Sequence, residues 1–393
     1  MPMTEKLYET NGMISTFRAR VLSCEKRADG YAVILDRTAF SPEGGGQSAD
    51  TGCLSNAQVR DVQIENGEIL HFTDLSVSGE ITGTLHFDTR FRKMQNHLGE
   101  HLLCGAIHRL FGFDNVGFHL GADDMTFDIN GILTESQIAE AEKEANRAIW
   151  EDAPVRCYTP SPEDLSRLDY RAKAEKIDNA SAVRIVEVEG FDRCACCAPH
   201  LDRAGKIGMI KITDAMKYKG GMRFHAYCGS DALKDYQTKQ KEIEKISVLL
   251  SVPRDRAVLA VQAKLDELAA AKRTAGILRR ELVAAKIGQI LPSDTHICLF
   301  EPTLDPNGLR EMASEGVSKT PGIFAVFSGA DGNGYDFVCA SEHIPMKKAA
   351  ARFAEALGGK CGGSEKMIFG HTDADENQIR RFFLNFSEYS TTG

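Results

Sequence analysis

The sequence predicts a multidomain α+β protein with a small N-terminal β-barrel, a second domain of α+β type, a helical linker and a C-terminal α/β domain. Three observations predict this order. Residues 1–90 contain short runs rich in β-branched and aromatic residues, residues 231–290 are rich in Ala, Leu, Lys and Glu, and residues 91–230 and 291–393 mix strand-like with helix-like patterns. A chain of 393 residues exceeds the ~100–200 residues of one domain, which agrees with several domains.

Composition and charge limit the class of protein. Hydrophobic residues make up 42% and charged residues 26% of the chain, which excludes a disordered or collagen-like protein. No apolar run approaches the ~18–20 residues of a membrane span. The start MPMTEKLYET lacks a basic segment followed by an apolar core, so we expect a cytoplasmic protein. Because the net charge is −9, any nucleic-acid partner must be held by a local basic patch or a shaped pocket.

The barrel is predicted from strands that Gly, Asn and Asp separate, as in RADG before Tyr31 and ENG at residues 65–67. The predicted strands include Tyr31–Asp36, Val59–Ile64 and Leu85–Phe87.

The second domain is predicted to begin with a helix over Phe91–Leu110, where apolar residues recur at helical spacing. A capping box at Thr134–Gln137 begins a second helix that runs to about Trp150. The strands expected around these helices are Val116–Leu120, Met125–Ile129, Val183–Val188 and Ile207–Ile212.

The linker is predicted as two helices, because apolar residues follow an approximate heptad ladder and Pro253 interrupts it. An antiparallel hairpin is the simplest arrangement; a parallel dimeric coiled coil and two amphipathic helices packed on the body are the alternatives. The C-terminal domain is predicted to alternate strands with helices. Its strands are His296–Leu299, Ile323–Phe327 and Phe337–Ala340, its helices are Leu309–Glu315, Met346–Leu357 and Glu376–Leu384, and a glycine-rich turn spans residues 357–363.

Two pairs of residues predict a metal site. His97 and His101 lie one turn apart on one face of a helix, and Cys196 and His200 are spaced alike in CCAPH. Imidazole and thiolate ligands together suit Zn²⁺. Cys194 and Cys197 are alternatives to Cys196 as the thiolate ligand. The eleven cysteines are not spaced as in a small secreted disulfide framework.

A different class of enzyme also fits part of this pattern. HLGEH matches His-x-x-Glu-His, a zinc peptidase motif in which Glu100 would be the general base. That hypothesis leaves Cys196 and His200 without a role. It also needs a third ligand, for which Glu140, Glu142 and Glu144 are the candidates.

A third element is Thr38–Gln47 (TAFSPEGGGQ), where consecutive glycines permit positive φ and close approach of the backbone to a ligand. Together with His97/His101 and Cys196-x-x-x-His200, it resembles the editing domain of alanyl-tRNA synthetase. It resembles still more closely the freestanding AlaX-type alanyl-tRNA editing proteins. The GGKCGG segment at 358–363 resembles the glycine-rich segment of the domain that these synthetases share with DHH-type phosphoesterases.

The resemblance covers nearly the whole chain and implies the long AlaX form. It divides the chain into a β-barrel subdomain (1–90), a zinc-binding α+β editing domain (91–230), a helical linker (231–290) and a C-terminal α/β glycine-rich domain (291–393). Two departures stand out. The family's Cys-Gly-Gly-Thr-His is CCAPH here, and Glu100 stands where the family often has Gln. These changes bear on which amino acid is removed more than on the class of reaction.

The resemblance implies hydrolysis of the ester in tRNA(Ala) mischarged with serine, and with glycine as a further candidate. His97, His101, Cys196 and His200 would hold zinc, and Thr38 and Gln47 would line the acyl pocket, with Thr38 hydrogen-bonding the serine hydroxyl. Glu100 would be a general base. A non-catalytic tRNA-binding module with structural zinc is the alternative, and a homodimer through the linker or the C-terminal domain is a further expectation. The cations expected to contact RNA are Arg90, Arg92, Lys93, Lys206, Lys211, Lys217, Lys219, Arg223 and Lys360.

Overall fold

The computed structural model describes residues 4–121, 124–172 and 183–386. Its contacts divide the chain into two compact units, Met1–Lys245 and Ile246–Gly393. The predicted mixed α and β, multidomain organisation is confirmed. The finer division into four domains stays a prediction.

The first unit begins with six strands that pair in the order β2-β3-β7-β6-β5-β8 and close because β8 pairs back onto β2. Alternate side chains of each strand point inward and form a core that includes Val33, Leu35, Phe40, Leu54 and Val62. The elements in chain order are β1 (Glu5–Lys6), α1 (Leu7–Thr10), β2 (Thr16–Arg27), β3 (Gly30–Leu35), β4 (Arg37–Thr38), β5 (Gly52–Leu54), β6 (Ala57–Glu65), β7 (Glu68–Thr73) and β8 (Glu80–Leu85).

One predicted strand is wrong. The strand expected over Leu85–Phe87 ends at Leu85, and helix α2 (Phe87–Phe111) starts at Phe87 rather than at Phe91. The rings of Phe87 and Phe91 lie one turn apart with centroids 6.0 Å from each other. This apolar contact supports the first turn of the helix.

The α+β part of the unit packs two sheets around α2, which is buried along most of its length. One sheet has the order β14-β15-β10-β9 and the other β11-β12-β13. The capping box of Thr134 and Gln137 is confirmed at the start of α3. The elements are β9 (Asn115–Leu120), β10 (Met125–Ile129), α3 (Glu135–Trp150), β11 (Val155–Tyr158), α4 (Pro162–Arg167), β12 (Ile185–Val188), β13 (Asp192–Ala195), β14 (Ile210–Tyr218), β15 (Gly221–Cys228) and α5 (Ser230–Leu250).

The C-terminal part is a five-stranded sheet in the order β16-β17-β18-β20-β19, in which only β16 and β17 pair in parallel. One face packs on α6 and α7 through Phe324 and Val326, and the other packs on α8 and α9 through Phe327 and Phe337. The elements are α6 (Ala257–Gln289), β16 (Ile297–Phe300), α7 (Pro306–Gly316), β17 (Phe324–Ala330), β18 (Gly334–Ala340), α8 (Met346–Leu357), β19 (Lys360–Gly363), β20 (Met367–Thr372) and α9 (Glu376–Asn385).

Two linker and C-terminal predictions have clear outcomes. The helix break at Pro253 is confirmed, since α5 ends before it and α6 begins after it. How these helices pair stays a prediction. The glycine-rich turn is wrong in part, because only Gly358 and Gly359 turn the chain, with φ of 68° and 83°, and Lys360–Gly363 then forms the edge strand β19. None of the helices in the described ranges is long and apolar enough to cross a membrane.

His71 lies fully buried in the barrel core, a position the sequence analysis missed. Its Nδ1 lies 3.0 Å from the Val33 carbonyl oxygen and its Nε2 lies 2.8 Å from Thr38 Oγ1. The neutral ring therefore donates to the carbonyl through Nδ1 and accepts from the Thr38 hydroxyl through Nε2. Burial lowers the pKa of His71 to about 4.

We expect His71 to make the barrel sensitive to acid. The unfolded chain takes up a proton near pH 6.5 while the folded ring stays neutral down to about pH 4, so stability falls as pH decreases through this window, by on the order of 3 kcal/mol. Urea unfolding between pH 7 and 4, followed by fluorescence of Trp150, measures the loss. His71→Gln should flatten the dependence relative to the exposed control His86→Gln, and equal slopes in both variants would contradict this assignment.

Candidate metal centre

His97, His101, Cys196 and His200 converge at one point of the first unit. One donor atom from each lies within 4.8 Å of the others. Cys196 Sγ is 3.3 Å from His200 Nε2 and 3.6 Å from His97 Nε2. The structure thus brings together the four residues that the sequence analysis proposed as ligands. Among the described residues, the cysteine in this cluster is Cys196, and neither Cys194 nor Cys197 belongs to it.

Local structure explains why these four side chains meet. His97 and His101 occupy successive turns of α2, and Cys196 follows the end of β13. The Cys196 amide donates to the Arg184 carbonyl oxygen, and the Arg184 guanidinium donates to the carbonyl oxygens of Cys196 and Ala198. The ligand loop is therefore held by the backbone and the side chain of Arg184.

The chemistry of this donor set fits zinc. Burial alone would raise the pKa of the Cys196 thiol, but His97 and His200 beside it hold that pKa well below its usual range. Burial lowers the pKa of His200 to about 3. The Cys196 thiolate and the neutral His200 imidazole are the protonation states that zinc coordination requires of these two ligands.

The outer nitrogens of two ligands face polar partners. His97 Nδ1 lies 3.2 Å from Gln47 Oε1, and the His97 ring stacks on Phe118 with centroids 4.9 Å apart. His101 Nδ1 lies 3.5 Å from a carboxylate oxygen of Asp192. Partners of this kind orient ligand rings in metal sites. Neither Asp192 nor Phe118 was singled out from the sequence, because each acts through a residue distant in the chain.

A cavity of about 460 Å³ opens beside the cluster. Its volume lies in the range of small-molecule sites. His97, His101 and Cys196 line it, as do Gln47 and Glu100. Glu100 is buried, and its Oε1 accepts hydrogen bonds from Asn115 Nδ2 and from Cys104 Sγ, which lies 3.3 Å away.

Thr38 is the predicted site residue that the structure does not bring to the cavity. Its side chain is fully buried in the barrel and its hydroxyl bonds to His71. Thr38 Oγ1 also accepts from the Phe40 amide, 3.1 Å away. The prediction that Thr38 contacts a substrate hydroxyl directly is therefore wrong, because the Thr38 hydroxyl already bonds to His71 and to the Phe40 amide inside the barrel.

Most of the cations expected to contact RNA are engaged within the protein. Carboxylates pair with five of them, in Lys206–Asp202, Lys211–Glu142, Arg223–Asp128, Arg92–Asp231 and Arg90–Asp50. The Lys93 ammonium donates to the carbonyl oxygens of Ser48 and Ala49. The predicted basic stretch thus offers less free positive charge than its composition suggests.

The peptidase hypothesis loses its third ligand. Glu142 pairs with Lys211, and Glu144 pairs with Arg109 and Arg147. Neither these residues nor Glu140 belongs to the ligand cluster found among the described residues. Cys196 and His200 complete the cluster with His97 and His101. A peptidase of this class would have a carboxylate and a water molecule as its remaining ligands.

Comparison with known proteins finds relatives among tRNA synthetases and alanyl-tRNA editing proteins. The family model of the second additional domain of threonyl and alanyl tRNA synthetases matches residues 183–225, and that of class II (A) tRNA synthetases matches residues 7–89. The alanyl-tRNA editing protein AlaX-L of Pyrococcus horikoshii is 26% identical over 96% of both chains. The alanine–tRNA ligase of Ignicoccus hospitalis is 29% identical over 92% of this chain, and this chain spans 40% of that ligase.

A solved C-Ala domain of Aquifex aeolicus alanyl-tRNA synthetase matches 24% of this chain and 94% of that domain, with 17% identity and a TM-score of 0.21. Over nearly its whole length the chain resembles the long-form AlaX alanyl-tRNA editing proteins and the corresponding part of alanyl-tRNA synthetase.

Proposed function

We propose that the protein is a zinc-dependent, cytoplasmic deacylase that hydrolyses the aminoacyl ester of tRNA(Ala) mischarged with serine, and of tRNA(Ala) charged with glycine. The observation that carries the proposal is the convergence of His97, His101, Cys196 and His200 beside a cavity of about 460 Å³. The resemblance to an alanyl-tRNA editing protein over 96% of both chains supports the substrate class.

Ester hydrolysis needs a positioned water and a stabilised oxyanion. The four ligands would hold zinc, and the ion would supply a Lewis acid that anchors the substrate or polarises its oxygen. Gln47 Oε1 lies 3.2 Å from His97 Nδ1 and would orient that ring. The buried Glu100 carboxylate lines the cavity, where it would accept the proton of the attacking water.

Selection against alanine depends on the serine hydroxyl. A site built to hydrogen-bond this group can reject the analogue that lacks it by ~10⁴–10⁵-fold, because its own polar groups are then left unpaired. With Thr38 committed to His71, the polar cavity residues Gln47, Ser41 and Asn115 become the candidates for this contact. Thr38 would then act indirectly, because its bond to His71 holds the barrel strand that precedes the cavity residues.

Single-turnover deacylation of Ser-tRNA(Ala), Gly-tRNA(Ala) and Ala-tRNA(Ala) tests the proposal. We expect fast loss of serine, loss of glycine and sparing of alanine. Folded, zinc-loaded protein that is inert on all three would exclude the deacylase. Retained binding of tRNA(Ala) in that case would favour the RNA-binding module with a structural metal.

Glu100→Gln tests the general base separately. A positioned base contributes about 10²–10⁴-fold to rate, so we expect a loss of this size in the single-turnover rate on Ser-tRNA(Ala), with zinc content unchanged because Glu100 lies outside the ligand cluster. Glu43→Gln, an exposed carboxylate at the same cavity, is the matched control. Full activity of Glu100→Gln would remove Glu100 from the catalytic role.

A further inference from the structure

Asp192 lies beside the metal centre and is not among the described residues that line the cavity. It is the first residue of β13 and is buried. Its Oδ2 lies 3.5 Å from His101 Nδ1. That nitrogen has no closer hydrogen-bond partner among the described residues. The carboxylate is therefore the group that faces the outer edge of the His101 ring.

Arg171 holds this carboxylate in place. Its Nε donates to Asp192 Oδ1 over 2.7 Å, and its terminal nitrogen donates to Asp192 Oδ2 over 2.9 Å. The same terminal nitrogen lies 3.2 Å from the His101 carbonyl oxygen. A two-point bond of this kind fixes both the position and the plane of a carboxylate. Arg171 thereby joins Asp192 to the backbone of the ligand it faces.

A glycine on α2 leaves room for the Asp192 carboxylate beside His101. Gly105 lies one turn beyond His101 on α2, and a Cβ there would come within 2.6 Å of Asp192 Oδ1. The carboxylate can approach the helix only because this position has no side chain. Arg171 is also hydrogen-bonded through its carbonyl oxygen to the Ala195 amide, next to Cys196. The Arg171 segment therefore contacts both ligand-bearing elements.

We propose that Asp192, held by Arg171, is a positioning residue that orients His101 for metal binding; this rests on the zinc centre of the proposed function. A neutral imidazole coordinates through one nitrogen when the other carries the proton. A carboxylate at Nδ1 keeps the proton there and directs Nε2 to the metal. Asp192 touches neither the cavity nor the substrate, so its effect passes through His101.

Zinc affinity and the visible spectrum of the Co²⁺ derivative test this inference. Loss of such a partner weakens metal affinity about 10–100-fold, and we expect this loss in Asp192→Asn together with an altered Co²⁺ absorption band. Arg171→Lys keeps the charge but loses the two-point bond, so it should show a smaller loss. The matched control is Glu187→Gln, because Glu187 also pairs with an arginine on this sheet, Arg193, and is bonded to Tyr158.

The outcomes separate this inference from the proposed function. Wild-type protein that binds neither Zn²⁺ nor Co²⁺ overturns the metal centre and the inference with it. Tight binding by the wild type with equal affinity and an equal Co²⁺ spectrum in Asp192→Asn overturns only the role of Asp192. If Asp192→Asn does not fold, Arg171→Lys decides, and wild-type affinity in that variant overturns the inference. A loss of equal size in Glu187→Gln shows a general effect on the sheet and also overturns it.

Discussion

Cys196→Ala is expected to abolish deacylation and to weaken zinc binding by about two orders of magnitude, since four ligands share a binding free energy of about 10–16 kcal/mol in structural zinc sites. The thiolate carries the only formal negative charge among the four predicted ligands. Its sulfur lies 3.6 Å from His97 Nε2 and 3.3 Å from His200 Nε2. Without this thiolate, the cluster retains only the three imidazoles of His97, His101 and His200 and has no negative charge to offset that of the metal ion.

Competition with a chromophoric chelator measures the affinity, and single-turnover hydrolysis of Ser-tRNA(Ala) measures the activity. Cys157→Ala makes the same substitution at a half-buried cysteine on β11 and should leave both quantities near the wild-type values. Unchanged zinc affinity in Cys196→Ala would transfer the ligand role to Cys194 or Cys197, which line the same cavity.

Asp50→Ala should cause the largest loss of stability, about 3–5 kcal/mol, because removing one partner of a buried ion pair leaves the other charge uncompensated. Arg90 and Asp50 are almost fully buried, with side chains 1% and 5% exposed. Arg90 Nε lies 3.0 Å from the carboxylate, and the guanidinium also donates to the carbonyl oxygens of Gly12 and Ala39. Asp50 in turn accepts from the Ser41 amide over 2.6 Å.

Urea unfolding followed through Trp150, the only tryptophan of the sequence, measures this loss. The double variant Asp50→Leu/Arg90→Met should recover part of it, because an apolar pair removes the unpaired charge. Glu163→Ala breaks the exposed pair with Arg167 and should change stability by less than about 0.5 kcal/mol. A comparable small effect in Asp50→Ala would show that water reaches Arg90.

This ion pair also bears on function. Arg90 lies on α2, the helix that carries His97 and His101. Its guanidinium donates to the Ala39 carbonyl oxygen, and its partner Asp50 accepts from the Ser41 amide, so the pair holds both ends of the glycine-containing segment. Lys93 of the same helix holds the carbonyl oxygens of Ser48 and Ala49. One helix therefore carries two of the predicted ligands and is bonded to the segment that lines the cavity, so we expect Asp50→Ala to reduce deacylation as well.

By itself the sequence determined the mixed α and β class, the helix break at Pro253, the capping box at Thr134 and the set His97, His101, Cys196 and His200. These features depend on local periodicity, on a proline and on donor chemistry within four residues, all of which are visible along the chain. The tertiary structure alone decided the rest. It bonded the Thr38 hydroxyl to His71, paired Arg90, Arg92, Lys211 and Arg223 with carboxylates and brought Asp192 and Arg171 to His101. Each of these contacts joins residues that are distant in the chain and that only the packing of separate elements brings together.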